Sequence, residues 1–111
     1  MENKSFETAK VFRFNKEVDY SENGIVSKRV IEKKTGNVSL FAFDKGQSLS
    51  EHTAPFDAMV QVVEGTAQII INKQAQTLNI GETIIMPANI PHAVYAIEKF
   101  KMVLTMIKEV I

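Results

Sequence analysis

The sequence predicts an all-β domain, and three observations carry that reading. Short apolar or alternating runs follow one another from about Val11 onward. Glycine, asparagine and proline punctuate them at the spacing of a sandwich or barrel. No stretch carries apolar residues at helical period, and a chain of 111 residues holds one core and not two.

The strands follow in order. VSKRVIEKK, from Val26 to Lys34, has charges on both faces around Val30 and Ile31, which suits an edge where lysines discourage further pairing. VSLFAFDK, from Val38 to Lys45, is β-branched and aromatic and reads as an inner strand, between the turn residues Thr35, Gly36 and Asn37 and the break at Gly46. AMVQVVEG and TAQIIIN meet at Glu64 and Gly65 and read as a hairpin whose glycine supplies a positive φ. Asn72 to Gln74 close a second hairpin into AQTLNI. After Gly81, ETIIMP is a brief strand stopped by Pro87. The chain re-enters the sheet through Pro91 as HAVYAI. The last run, FKMVLTMIKEVI, is apolar on both faces and is expected to be covered on each side. Residues 1–24 are expected to form an N-terminal segment, either loose over its first ten residues or exchanged with a partner subunit, and residues 25–111 the domain proper.

Thirteen basic residues balance thirteen acidic ones, so no overall field holds nucleic acid or an anionic membrane. The opening MENKSFETAK lacks the apolar run of a secretory signal, and no segment approaches the ~18 consecutive apolar residues of a membrane span. The expected location is the cytoplasm, with no nucleic-acid or membrane partner. The absence of cysteine removes disulfides, thiolate metal sites and a cysteine nucleophile together. Any metal must be held by nitrogen and oxygen, and the histidines are His52 and His92 alone.

Gly46, His52 and Gly65 stand at the spacing of the first cupin signature, G-x5-H-x-H-x3,4-E-x6-G. Gly81, Pro87 and His92 are similar to the second, G-x5-P-x-G-x2-H-x3-N. From about Ile25 to Ile107 the chain resembles a small one-domain cupin. The resemblance implies a double-stranded β-helix, a jelly-roll barrel of two antiparallel sheets with one open mouth. It also implies a divalent metal there, gripped by three nitrogens and a carboxylate.

The chain departs from that pattern at the ligand positions. Ala54 replaces the second histidine, Ala58 the glutamate, Asn89 the second-signature glycine and Ala96 the terminal asparagine. Because residues i and i+2 share a face of a strand, His52 and Ala54 are expected to point together, with Ala58, Val60 and Val62 in a facing column and His92, Val94 and Ala96 in a third.

Three functional readings follow. His52 and His92 could hold iron, manganese, nickel or zinc if a carboxylate joined them. Asp57 is the nearest candidate, whereas Glu51 has the wrong parity and Glu64 lies a strand length away. A metal-dependent oxygenase or isomerase would use such a site, and a metal-free isomerase would use a histidine as acid or base. The second reading, preferred here, is a small-molecule binder whose alanines open a pocket in the mouth. His52, His92, Ala54, Ala58, Phe56, Val60 and Met102 are its candidate lining residues. The third is a structural module with a packed core. Met59, Val63, Tyr95 and Ile97 are expected to share an apolar outer face that pairs two copies as a homodimer.

Overall fold

The computed structural model describes residues 6–109. These residues form an all-β sandwich of nine strands: β1 Ile25–Lys33, β2 Gly36–Phe43, β3 Ser48–His52, β4 Ala58–Gly65, β5 Ala67–Ile71, β6 Gln74–Leu78, β7 Thr83–Met86, β8 His92–Tyr95 and β9 Phe100–Ile107. They form a five-stranded sheet in the order β1-β2-β9-β4-β7 and a four-stranded sheet in the order β3-β8-β5-β6, with every pairing antiparallel.

The connections fix how the sheets stack. β2 leads to β3, β4 to β5, β6 to β7 and β8 to β9, each passing from one sheet to the other. The orders β2-β9-β4-β7 and β3-β8-β5-β6 therefore superpose strand on strand, at the spacing of roughly 10 Å usual for packed sheets.

The junction at Glu64 and Gly65 corrects one expectation. β4 and β5 do not pair as a hairpin, because they lie in different sheets and Gly65 is the corner between them. Its φ of 77° is left-handed, and a Cβ built there would stand 2.1 Å from the Lys99 carbonyl oxygen. The second hairpin is as expected, with Asn72 and Lys73 both at positive φ, the requirement of a tight two-residue turn between β5 and β6. β1 is an edge strand, also as expected.

The core lies between the sheets. Phe43, Val60, Val62, Ile69, Val94, Phe100 and Met102 are buried there, with Phe43 and Phe100 stacked at 4.6 Å. β9 is covered on both faces, as its sequence required. Phe100 and Met102 point inward, whereas Val103 packs outward with Leu40, Ala42 and Val18. The chain's own N-terminal segment makes that outer cover, with Phe6, Phe14 and Tyr20 against the outer face of the five-stranded sheet.

Lys101, only 6% exposed, is reconciled with burial by specific partners. Its Nζ donates to the Asn15 carbonyl at 2.7 Å and lies 3.5 Å from Glu64 Oε2, which also accepts from the Tyr20 hydroxyl at 2.7 Å. These bonds tie the segment to β4 and β9.

Met59 and Val63 lie on the five-stranded sheet, and Tyr95 on the four-stranded one. Their outward faces point in opposite directions, so the single outer face expected from sequence does not exist.

Gly65→Ala should destabilise the fold by more than the ~1–2 kcal/mol of an ordinary left-handed alanine, because backbone must also move. Gly81→Ala, at a φ of 86° with open space around it, should cost only that smaller amount. Thermal or denaturant unfolding of the two variants checks the order.

Candidate functional site: a histidine pair at the barrel mouth

Residues directly opposite in an antiparallel ladder share a face. At one end of the four-stranded sheet the pairings His52 with His92, His92 with Ile71, and Ile71 with Gln74 lay out one row. At the same end of the five-stranded sheet, Met86, Ala58, Met106 and Asn37 form the facing row. The loops 53–57 and 87–91 connect these rows and so define the mouth.

His52 reaches its place through an irregularity. Leu49 pairs with Val94 and His52 with His92, three steps along β3 against two along β8. Leu49 packs against the inner core, so strict alternation would have turned Glu51 inward and His52 out. The extra residue reverses that parity, as bulges do when they re-aim a side chain.

The imidazoles meet with ring centroids 4.4 Å apart at an interplanar angle of 70°. His52 Nδ1 donates to the Ser50 carbonyl at 3.0 Å, and His92 Nδ1 to the Ile90 carbonyl at 3.3 Å. A carbonyl oxygen only accepts, so each Nδ1 carries the proton and each neutral ring keeps its lone pair on Nε2. Two basic nitrogens are thus fixed in tautomer by nearby backbone carbonyls, that of Ser50 in β3 and that of Ile90 in the loop 87–91. They can accept a hydrogen bond, take a proton, or ligate a cation.

The rings differ in environment. His52 is exposed and His92 is 5% exposed. Burial holds His92 below its ordinary pKa of 6.5, and the charge of a protonated His52 lowers it further, against a small opposing effect of the bond to Ile90. The folded state therefore resists a proton that the unfolded chain accepts. This contribution costs nothing above pH 6.5 and reduces stability as pH falls from there through the lowered pKa.

The other expected residues are dispersed. β3 ends at His52, so Ala54 lies in the loop and not on a shared strand face; its carbonyl accepts from the Asn89 N–H at 2.7 Å. Ala58 is inward, and so are Val60 and Met102, but those two are fully buried in the packed core and reach no opening. Phe56 lines a groove of ≈ 910 Å³ on the outer side with Met59, Ile85, Thr105 and Ile107, and neither histidine contributes to it. Lys108 Nζ lies 5.6 Å from the Phe56 ring centre. Asp57 lines the same groove and accepts from the Ala88 N–H at 2.9 Å, joining the two mouth loops.

Among the described residues no three histidine or carboxylate groups come together to hold a metal ion. The donor set fits a resident divalent metal poorly, since two nitrogens fall short of the three protein ligands of ordinary catalytic sites. Asn37 was read from sequence only as a turn residue. It is 7% exposed on the inner face of β2, in register with Met106, and its position next to Gly36 disguised a strand residue as a turn.

By NMR titration His92 should show a midpoint below 6.5, and His52→Ala should raise it by removing the neighbouring charge. A midpoint that does not move would mean that the rings are uncoupled.

The cupin domain family model matches residues 39–108, well over half of the chain. A conserved Streptococcus pyogenes protein of unknown function is 36% identical over 100% of this chain and 98% of its own, with a TM-score of 0.91. A cupin 2 conserved barrel domain protein from Leptotrichia buccalis is 39% identical, covering 85% of this chain and 46% of that one, at a TM-score of 0.82. Two others share the fold at lower identity. KdgF from Halomonas sp. is 23% identical at a TM-score of 0.72, over 91% of this chain and 96% of that one. Salicylate 1,2-dioxygenase from Pseudaminobacter salicylatoxidans is 17% identical at 0.70, over 75% and 26%. No curated protein matches the chain in sequence. Matching signatures, two stacked antiparallel sheets and the domain match agree: the chain belongs to the cupin family.

Proposed function

We propose that this cupin binds a small molecule in the barrel mouth, held by His52 and His92. The observation that carries this reading is the imidazole pair, 4.4 Å between ring centres, with both Nδ1 atoms committed to backbone carbonyls. Two Nε2 lone pairs remain, and the facing row of the other sheet includes Ala58, Met86 and Met106, which would make a mostly apolar surround with few polar points. A metal-dependent oxygenase or isomerase has less support. Iron, manganese, nickel or zinc would find the two imidazole nitrogens and no third histidine or carboxylate beside them among the described residues.

Protein purified without an affinity tag tests these readings together. The expected result is a small organic molecule released on denaturation, absent from a His52→Ala/His92→Ala variant, with metal far below stoichiometric. Near-stoichiometric metal lost in the same variant would overturn the binder in favour of the metal enzyme. Neither ligand nor metal would favour a structural module.

We further infer that the chain acts in the cytoplasm as a homodimer, joined through the outer strip of Met59, Ile85, Thr105 and Ile107. Ile85 is 61% and Ile107 69% exposed, a large apolar exposure for a sheet face. β1, the opposite edge of this sheet, carries Lys28, Arg29 and Lys33, whereas the β7 edge, TIIM, carries no charge to discourage pairing. Asp57, Lys108 and Glu109 put both signs of charge around the groove, so the patch can complement itself about a two-fold axis. Ile85→Glu should weaken dimerisation by about a hundredfold in sedimentation, while Ile31→Glu on the guarded edge should not. A dimer indifferent to Ile85→Glu would remove this surface, and a monomeric wild type would remove the homodimer.

A further inference from the structure

We propose that the mouth takes a small uncharged ligand bearing both hydroxyl and carbonyl groups, its hydroxyl donating to His52 or His92 and its carbonyl accepting from the Asn37 side-chain amide. The proposal rests on the mouth-binding reading and assigns its ligand class.

Asn37 supplies the complementary donor. It sits in the mouth row of the five-stranded sheet, in register with Met106 and through it with Ala58. Because β2 stacks over β3, Asn37 and His52 occupy facing positions across the opening. Ser39 Oγ donates to Asn37 Oδ1 at 3.4 Å, which orients the amide. Among the described residues the hydrogen bond found for this side chain is the one at Oδ1, none being found at Nδ2, although the residue is only 7% exposed. No fully enclosed side-chain nitrogen or oxygen among those residues lacks a partner. Nδ2 is therefore not fully enclosed, and the place of Asn37 in the end row of β2 is the ground for aiming it at the mouth.

Charge and polarity select among ligands. Of lysine, arginine, aspartate and glutamate the mouth rows hold one, Glu32 of the edge strand β1, opposite Asn37; it is exposed, pairs with Arg29 at 2.8 Å, and adds no positive charge to the opening. The charged groups nearby are engaged elsewhere: Lys73 reaches Glu51 at 3.5 Å, Lys108 lies over Phe56, and Asp57 holds Ala88. An anionic ligand would shed water without meeting a counter-charge. A hydrocarbon would leave one amide donor and two imidazole acceptors unpaired. A hydroxyaldehyde or hydroxyketone pairs both kinds of group and lays its carbon chain against Ala58, Met86 and Met106, methionine adapting to its shape.

The test is a titration of the isotope-labelled full chain with neutral sugars from triose to hexose, the matching sugar acids, and plain alcohols of equal length. Asn37 side-chain amide and both imidazole resonances are followed by NMR. At least one neutral sugar should shift all three saturably and bind about tenfold tighter than its acid or alcohol counterpart. Asn37→Leu should weaken that binding by a similar factor. Since Asn37 is buried, the wild-type amide shift provides a readout that needs no variant. Tighter binding of the acids, or imidazole shifts with the Asn37 amide unmoved, would overturn the ligand class and leave mouth binding standing. Imidazoles unmoved by every probe would overturn both.

Discussion

One extra residue in β3, between Leu49 and His52, sets what this barrel can do. Without it, core packing of Leu49 would place a carboxylate, Glu51, on the inner row and send the imidazole to solvent. With it, the inner face keeps a leucine for the core and gains a histidine beside its partner at the rim. The bulge resolves a conflict between two demands on one short strand, and the backbone pays with a local break in the ladder. The carbonyl of Ser50, within that irregular stretch, then accepts from the same imidazole and holds its orientation.

The interior makes that arrangement stable. Two antiparallel sheets stacked strand on strand bring apolar rows together from Phe43 and Phe100 toward the mouth, where the rows end in His52, His92 and Asn37. Each large buried aliphatic side chain in that stack is worth about 1.5–3 kcal/mol relative to exposure. Polar groups are tolerated only at the open end, where water or a ligand completes their bonds, or where bonds are complete within the protein, as with Lys101 beneath the N-terminal segment. Methyl groups, those of Ala54 and Ala58, stand where the cupin signature has a histidine and a glutamate, and among the described residues no third histidine or carboxylate joins the imidazole pair.

Much of the fold was legible in the sequence because strand and turn signals are local. Alternation, Asn72 and Lys73, Pro87 and the charged β1 each reveal themselves within a few residues. Sheet membership is not local. A glycine at positive φ serves a hairpin or a corner between sheets, so Gly65 could not say which it made. Parity shows that Met59 and Tyr95 both face outward, but only the strand order shows that they do so on opposite sides. Asn37 was missed for a related reason: polarity next to Gly36 suggests a turn, and burial against a strand some seventy residues further on leaves no trace in its neighbourhood. Alternation also carried His52 and Ala54 together, whereas β3 ends at the histidine and the two part company.

The imidazole pair is the feature on which the account stands, and its ring protons and nitrogens can be observed directly. Long-range proton–nitrogen spectra at alkaline pH should show both histidines protonated at Nδ1 and bare at Nε2, with a strong nuclear Overhauser contact between the rings. Histidines protonated at Nε2, or rings without that contact, would contradict it.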